Sequence, residues 1–388
     1  MPKVLRIINR FNLGGPTYNA TFLTRFLSDE FETLLIGGLP EEGESDSFHI
    51  PKEYGVEPML IAELKRMPNL ISDRKAYKRI KKIIEEYKPD IVHTHASKAG
   101  ALGRKAAFAC NVPVVIHTYH GHVFHSYFSN WKTKLVKFIE KKLANKTTAI
   151  IAISETQKKE ICQIHKIANS NKTYIIPLGF DLSKFNTNRE EKRSKTRETY
   201  NIKDDEIAIG IIGRITKIKN HDFFLDVIEK ILSENTELKI RVFIVGDGDL
   251  AETISKRVEN INQKYGQKAH MTSWIFDIST FNPGMDIICL TSDNEGTPVS
   301  LIEAQASGVP VVTTDVGGIK DIVSDGKTGY IIPKNDIEKF SEKLLDLINN
   351  NDKRILFSKN GWDFVKDKFH YTRLVNDIEK LYTKLLTK

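Results

Sequence analysis

The chain has 388 residues, 40% of them hydrophobic and 28% charged, a balance that excludes a disordered chain and, with no apolar run near the ~18 residues of a span, a membrane-embedded one. Three isolated cysteines, Cys110, Cys162 and Cys289, argue against a disulfide framework or zinc site, and the start Met1-Pro2-Lys3-Val4 carries no signal-peptide pattern, so a cytoplasmic protein is expected. The formal net charge of +8 implies an anionic partner, whether nucleotide, phospholipid surface or nucleic acid, without choosing among them.

The first half alternates short β-rich runs with amphipathic runs, the pattern of a parallel sheet wrapped by helices. Strands are predicted at residues 4–9, 33–36, 59–61, 90–94, 113–118, 149–153 and 173–176. Between the first two, Tyr18, Phe22 and Phe26 recur at helical spacing, and residues 97–110 give a helix of small residues. Lys75, Lys78 and Lys82, then Lys134, Lys137 and Lys141, mark two basic helix faces that suit either solvent or anionic lipid headgroups at the inner face of a membrane. The accompanying Ile80, Ile84, Leu135 and Phe138 are expected to face the core. A polar, charged stretch over 181–200 marks a domain boundary. Strands resume at 207–212, 239–245, 286–290 and 309–313, separated by helices near 222–232, 250–265 and 299–306. Leu374, Ile378, Leu381 and Leu385 form an apolar stripe that needs a covering neighbour. The expected organisation is α/β, with domains 1–182 and 183–364 and a terminal helix in 365–388 packing back on the first.

Ligands of open α/β sheets collect beyond the carboxyl ends of the strands. After the first strand, Gly14-Gly15 would let backbone amides approach an anion, or would simply make a tight turn; the run is not GxGxxG, so no dinucleotide site is expected. His93 and His95 alternate on one strand without a third ligand to complete a metal site. Either His95 lines a ligand surface or it is structural. Arg214 and Lys219 follow the strand over 207–212; two cations there can neutralise a diphosphate, although alone they also read as solvated loop charge. The sharpest run is Ser292-Asp293-Asn294-Glu295-Gly296-Thr297-Pro298-Val299-Ser300-Leu301-Ile302-Glu303-Ala304, whose amides from Gly296 to Val299 would open a helix towards phosphate or sugar oxygens.

The Glu-x7-Glu spacing of Glu295 and Glu303, the preceding Gly213-Arg214-x4-Lys219-Asn220, the N-terminal glycine pair, Ile176-Pro177-Leu178-Gly179, Val245-Gly246-Asp247-Gly248 and Gly317-Gly318 together resemble the retaining glycosyltransferases of family 4. Each motif is weak, but their order and spacing are specific. The resemblance implies the GT-B fold, two Rossmann-like domains with parallel sheets facing across a cleft. It further implies that Arg214 and Lys219 bind a donor diphosphate, with Gly14 and Gly15 nearby. Glu303 would bind the nucleotide ribose, and Glu295, Gly296, Thr297 and Val299 the transferred sugar and phosphates. His120 aligns with a histidine that contacts the donor; His117, His122 and His125 are its neighbouring alternatives. His95 is assigned to the acceptor. Asp247-Gly248-Asp249 formally matches a metal-binding Asp-x-Asp, but its turn into a helix favours capping, and neither metal nor cofactor is expected. The activity implied is transfer of a hexosyl or N-acetylhexosaminyl group from a UDP- or GDP-sugar to a glycan or lipid-linked acceptor in bacterial surface polysaccharide synthesis. A sugar-nucleotide 2-epimerase and a non-catalytic nucleotide-binding protein are the alternatives. Nucleic acid is disfavoured, because aromatic and basic residues do not interleave.

Overall fold

The computed structural model describes residues 1–11, 15–40, 47–65, 69–120 and 130–387, the side chains of 130–132 excepted. They divide into two compact units, Met1–Phe180 with Phe369–Lys388, and Asp181–Lys368.

The first unit is built on a parallel sheet of β1 (Lys3–Arg10), β2 (Glu32–Gly38), β3 (Met59–Leu60), β4 (Ile91–His95), β5 (Val114–Thr118), β6 (Ala149–Ala152) and β7 (Thr173–Ile175), in the order β3-β2-β1-β4-β5-β6-β7. The chain grows outward from β1 in one direction and then, from β4, in the other. This reversal opens a crevice beyond the carboxyl ends of β1 and β4. β4 and β5 are buried along their whole length, as central parallel strands covered on both faces should be. One face is covered by helices Leu70–Tyr87 and Ser97–Ala109, through Ala76, Ile80, Ile83, Ile84, Ala106 and Ala107. The small side chains of the second helix allow close approach: a Cβ on Gly100 would lie 2.4 Å from Cε1 of His117.

The opposite face is closed by residues from the far end of the chain. Helix Tyr371–Leu386 buries Leu374, Ile378, Leu381, Tyr382 and Leu385 against Val4, Leu23, Ile116 and Ile151. The approach to it is fixed by backbone bonds, Phe180 N to Phe369 O at 2.8 Å and Tyr371 N to Phe180 O at 3.0 Å. Arg373 adds donations to the carbonyls of Pro177 and Leu178, at 2.7 and 2.8 Å. Because His370 is extended to bridge Phe180, the helical stretch beyond 365 is broken there: Asn351–Phe369 ends and Tyr371–Leu386 begins.

Helix Asn130–Lys146 departs from the sequence expectation. Its one carboxylate, Glu140, points inward, where Oε2 accepts from Arg104 Nη2 at 2.7 Å and from Tyr119 Oη at 2.8 Å. With Glu140, Leu143 and Ala144 on the inner arc, helical geometry turns Leu135 and Phe138 outward; they are 49% and 56% exposed rather than in the core. Ile80 and Ile84 are buried.

The second unit contains β8 (Ile207–Ile212), β9 (Ile240–Val245), β10 (Ala269–Thr272), β11 (Ile287–Leu290), β12 (Val311–Thr314) and β13 (Gly329–Ile332), in the order β10-β9-β8-β11-β12-β13 and again all parallel. β10 and β13 are the two edges; each has only four residues and a mixed burial pattern, which is why no periodicity announces them. The core joins Ile209, Ile211, Val242 and Ile244 to Phe224, Ile228 and Ile231 of helix His221–Glu234 and to Phe340 and Leu344 of helix Ile337–Asn349. The strand reversal here lies between β8 and β11. No helix among the described residues is long and apolar enough to cross a membrane.

Arg104 and Glu140 are both almost fully buried, so removing one partner strands the other charge away from water. Glu140→Ala is expected to cost about 3–5 kcal/mol, measured as a lowered urea midpoint.

Candidate functional site

The reversal in the second sheet brings together two loops that are distant in sequence, one leaving β8 and the other leaving β11. They are sewn by hydrogen bonds: Asp293 N donates to Ile218 O at 2.8 Å, and Thr291 Oγ1 reaches the carbonyls of Lys219 and Asn220 at 3.2 and 2.9 Å. Asn220, at φ 50°, uses its side chain to cap helix His221–Glu234 through Phe223 N. The loops therefore hold a fixed geometry before any ligand arrives.

Across this seam Lys219 Nζ sits 2.5 Å from Glu295 Oε1. The same oxygen accepts from Ser292 Oγ at 2.6 Å, and the Ser292 carbonyl is held by Thr314 Oγ1 at 2.8 Å. The Glu295 side chain is 10% exposed. Its Oε1 is saturated by two donors, and its Oε2 has no hydrogen bond among the described residues, which leaves that oxygen to accept from a ligand hydroxyl. Gly317 and Gly318, after β12, press on the same backbone: Gly318 N donates to Glu295 O at 3.1 Å, and a Cβ on Gly317 would fall 1.8 Å from that carbonyl.

Immediately beyond, Gly296 and Thr297 lead through Pro298 into helix Val299–Ala306. This helix start has no side-chain cap and no acid in its first turn, so the positive end of its dipole is uncompensated. Glu303 lies one turn in, partly buried. Burial pushes its carboxyl up to about 7, with Lys184 opposing the rise, and its side chain forms no hydrogen bond or ion pair among the described residues. Arg214 is exposed after β8, likewise without an ion-pair partner among them. Lys219 and Glu295 are thus in contact, whereas Arg214 and Glu303 stand free beside the same loops.

In the first unit, His95 ends β4 and His120 follows β5. His95 Nδ1 lies 2.8 Å from His120 Nε2. His93, on the same face of β4, is held by Tyr382 Oη and Thr118 Oγ1, each at 2.7 Å, and His117 by Thr94 Oγ1 at 2.9 Å. Burial drives His93, His95 and His117 well below the usual imidazole range and His120 down to about 3. All are neutral at physiological pH. His95 is wholly buried while His120 is partly accessible, so of the two rings only that of His120 reaches the surface. Gly15 opens helix Gly15–Arg25; Gly14, His122 and His125 lie outside the described residues.

The aspartates of Asp247-Gly248-Asp249 do not cap the next helix as expected. Leu250 occupies that position without a side-chain bond, and Asp247 Oδ1 turns back to Gly248 N at 2.7 Å. Two contributors escaped sequence reading. Ser292 lies within the quoted run, three residues before Glu295, a spacing that could have flagged it. Tyr382 bonds His93 from 289 residues away, which no local signal reveals.

Comparison with known proteins agrees across both units. The family model described as Glycosyltransferase Family 4 matches residues 18–184, and that described as Glycosyl transferases group 1 matches 192–363. The chain is 31% identical over 336 residues to the UDP-Gal:alpha-D-GlcNAc-diphosphoundecaprenol alpha-1,3-galactosyltransferase of Escherichia coli, covering 85% of this chain and 84% of that protein. It is 28% identical over 339 residues to the capsular polysaccharide biosynthesis glycosyltransferase CapM of Staphylococcus aureus, covering 86% and 87%. Among solved structures, Anabaena HepE in complex with UDP superposes with a TM-score of 0.82 at 18% identity, over 98% of this chain and 100% of that one. A Rickettsia africae glycosyltransferase gives 0.81 at 19%, over 99% and 98%.

Gly317 has φ +53° and no room for a Cβ. Gly317→Ala should therefore lower stability by about 1–3 kcal/mol by displacing the Glu295 backbone, read as a drop in thermal midpoint.

Proposed function

The chain belongs to the family 4 glycosyltransferases, with the GT-B architecture of two parallel α/β units, and from that premise we propose that it transfers a hexosyl group from a UDP-sugar to a lipid-linked glycan with retention and without a metal ion. The observation that carries this reading is the Lys219–Glu295 pair beside an uncapped helix start at the reversal of the second sheet. Surface polysaccharide synthesis is supported by the relatives named for capsular and undecaprenol-linked glycans. A uridine donor is supported by neighbours crystallised with UDP and UDP-glucose.

Breaking a sugar–phosphate bond builds positive charge on the ring and negative charge on the departing diphosphate. Lys219, Arg214 and the amides of Gly296, Thr297 and Val299 meet that negative charge as preorganised donors. Lys219 is the better positioned of the two cations, because Glu295 fixes its ammonium. Glu295 holds Lys219 with one oxygen and offers the other to a sugar hydroxyl. The acceptor hydroxyl attacks on the face the diphosphate leaves, and a diphosphate oxygen takes its proton, so no protein base is needed. Glu303 accepts from the ribose hydroxyls, Gly15 offers its amide to an anion, and His120 gives a neutral hydrogen bond to a substrate hydroxyl, held in orientation by His95.

Lys219→Ala is expected to lower kcat/KM for the donor by about 100-fold or more, and Arg214→Ala by less; wild-type rates in both would remove the diphosphate role. Donors are screened as UDP-galactose, UDP-glucose and GDP-mannose with a diphosphoundecaprenol-linked acceptor. NMR of the product should show retained anomeric configuration, and activity should persist in EDTA. A changed sugar formed without acceptor would instead identify an epimerase. Glu303 accepts from both ribose hydroxyls only as the carboxylate, because protonation turns one of its oxygens into a donor, and burial pushes its carboxyl up to about 7. UDP-sugar affinity should therefore rise by up to about tenfold from pH 6 to 8 and lose that dependence in Glu303→Gln, followed by calorimetric titration.

A further inference from the structure

The outward face of helix Asn130–Lys146 combines two features that the core reading of its apolar residues concealed. Leu135, Phe138 and Ile139 are 49%, 56% and 36% exposed, and Lys134, Lys141, Lys142 and Lys146 are exposed among them. By helical spacing, positions 135, 138, 139, 142 and 146 share one stripe, with 134 and 141 along its border. Lys142 Nζ lies 4.5 Å above the Phe138 ring, its stem laid over apolar surface. Acid is missing from this face for a structural reason: Glu140, the helix's one carboxylate, is drawn inward by Arg104 and Tyr119. The face is thus cationic throughout and apolar along its middle.

The other basic helix of this unit differs on both counts. On Leu70–Tyr87, Lys81 and Lys82 are neutralised by Glu85 and Glu86, and the stripe residues Ile80, Ile83 and Ile84 are buried. Its exposed apolar residues, Leu70 and Ile71, are confined to the start of the helix.

We propose that the outward face of helix Asn130–Lys146 docks on an anionic phospholipid bilayer, with Leu135, Phe138 and Ile139 entering the headgroup boundary and the lysines meeting lipid phosphates. Interleaved cations and apolar side chains on one helix face match the layered chemistry of a bilayer surface, charged outside and apolar beneath. The docking is independent of the donor chemistry proposed above and would bring this unit to a membrane-held acceptor.

The test is vesicle flotation of the full chain with phosphatidylcholine alone and with about 30% phosphatidylglycerol. Wild type is expected to bind the anionic vesicles at least about tenfold more tightly than the neutral ones. The double variant Lys134→Glu/Lys141→Glu should lose about tenfold or more, and Phe138→Ser should lose the fraction of binding that survives high salt. Lys75→Glu/Lys78→Glu serves as a control that stays within about twofold of wild type. UDP-sugar affinity should be unchanged in every variant, so failure of the docking and failure of the donor reading are separable. No binding by wild type, equal binding to neutral vesicles, or full binding by the helix variants overturns the proposal. So does gel filtration showing that Phe138→Ser dissolves an oligomer of a wild type that does not bind vesicles.

Discussion

A carboxylate and an ammonium held 2.5 Å apart with little exposure repay their desolvation only when geometry and further hydrogen bonds are right. Much of the second unit is arranged to meet that condition for Glu295 and Lys219. Strand order places β8 beside β11, so that loops 72 residues apart are joined by the Thr291 bonds to the Lys219 and Asn220 carbonyls. Ser292 supplies the second donor, and the glycines after β12 brace the carbonyl behind. The pair is therefore positioned by the protein's own bonds, and a charged ligand would meet a field that is already oriented.

The first unit uses the opposite electrostatic strategy. His93, His95 and His117 are fully buried on or beside the central strands, yet each remains neutral and hydrogen-bonded. A neutral imidazole offers a donor and an acceptor without a counter-charge. With these three rings wholly buried, the pairing ties the carboxyl ends of the central strands together without adding charge. The buried ion pair of this unit, Arg104 with Glu140, instead sets the rotation of a helix and thereby decides what that helix shows to its surroundings.

Much of this organisation was readable from residue order. The central strands announced themselves because buried parallel strands are nearly continuous runs of Ile and Val, as in Ile207–Ile212. Edge strands β10 and β13 did not, because four residues of mixed burial carry no clear period. Glu295 and Lys219 stood in loops with a recognisable order, but their contact depends on strand adjacency, which a linear sequence does not state. The outward turn of Phe138 was misread because Glu140, a charged residue set among lysines, is the one held inside; a buried charge inverts the amphipathic reading of its whole helix.

The closing of the first sheet by helix Tyr371–Leu386 has a consequence for biosynthesis. Strands β1 to β7 leave the ribosome first, but the helix that covers one face of their sheet, with Tyr382, one of the two hydroxyl partners of His93, arrives only after all of the second unit has been made. The second unit is continuous in sequence and holds its own core, so it can complete its fold during translation while the first waits with an apolar face uncovered. Vectorial synthesis thus reverses the order that the chain's numbering suggests, and the earlier-made half cannot close its core until helix Tyr371–Leu386 has emerged.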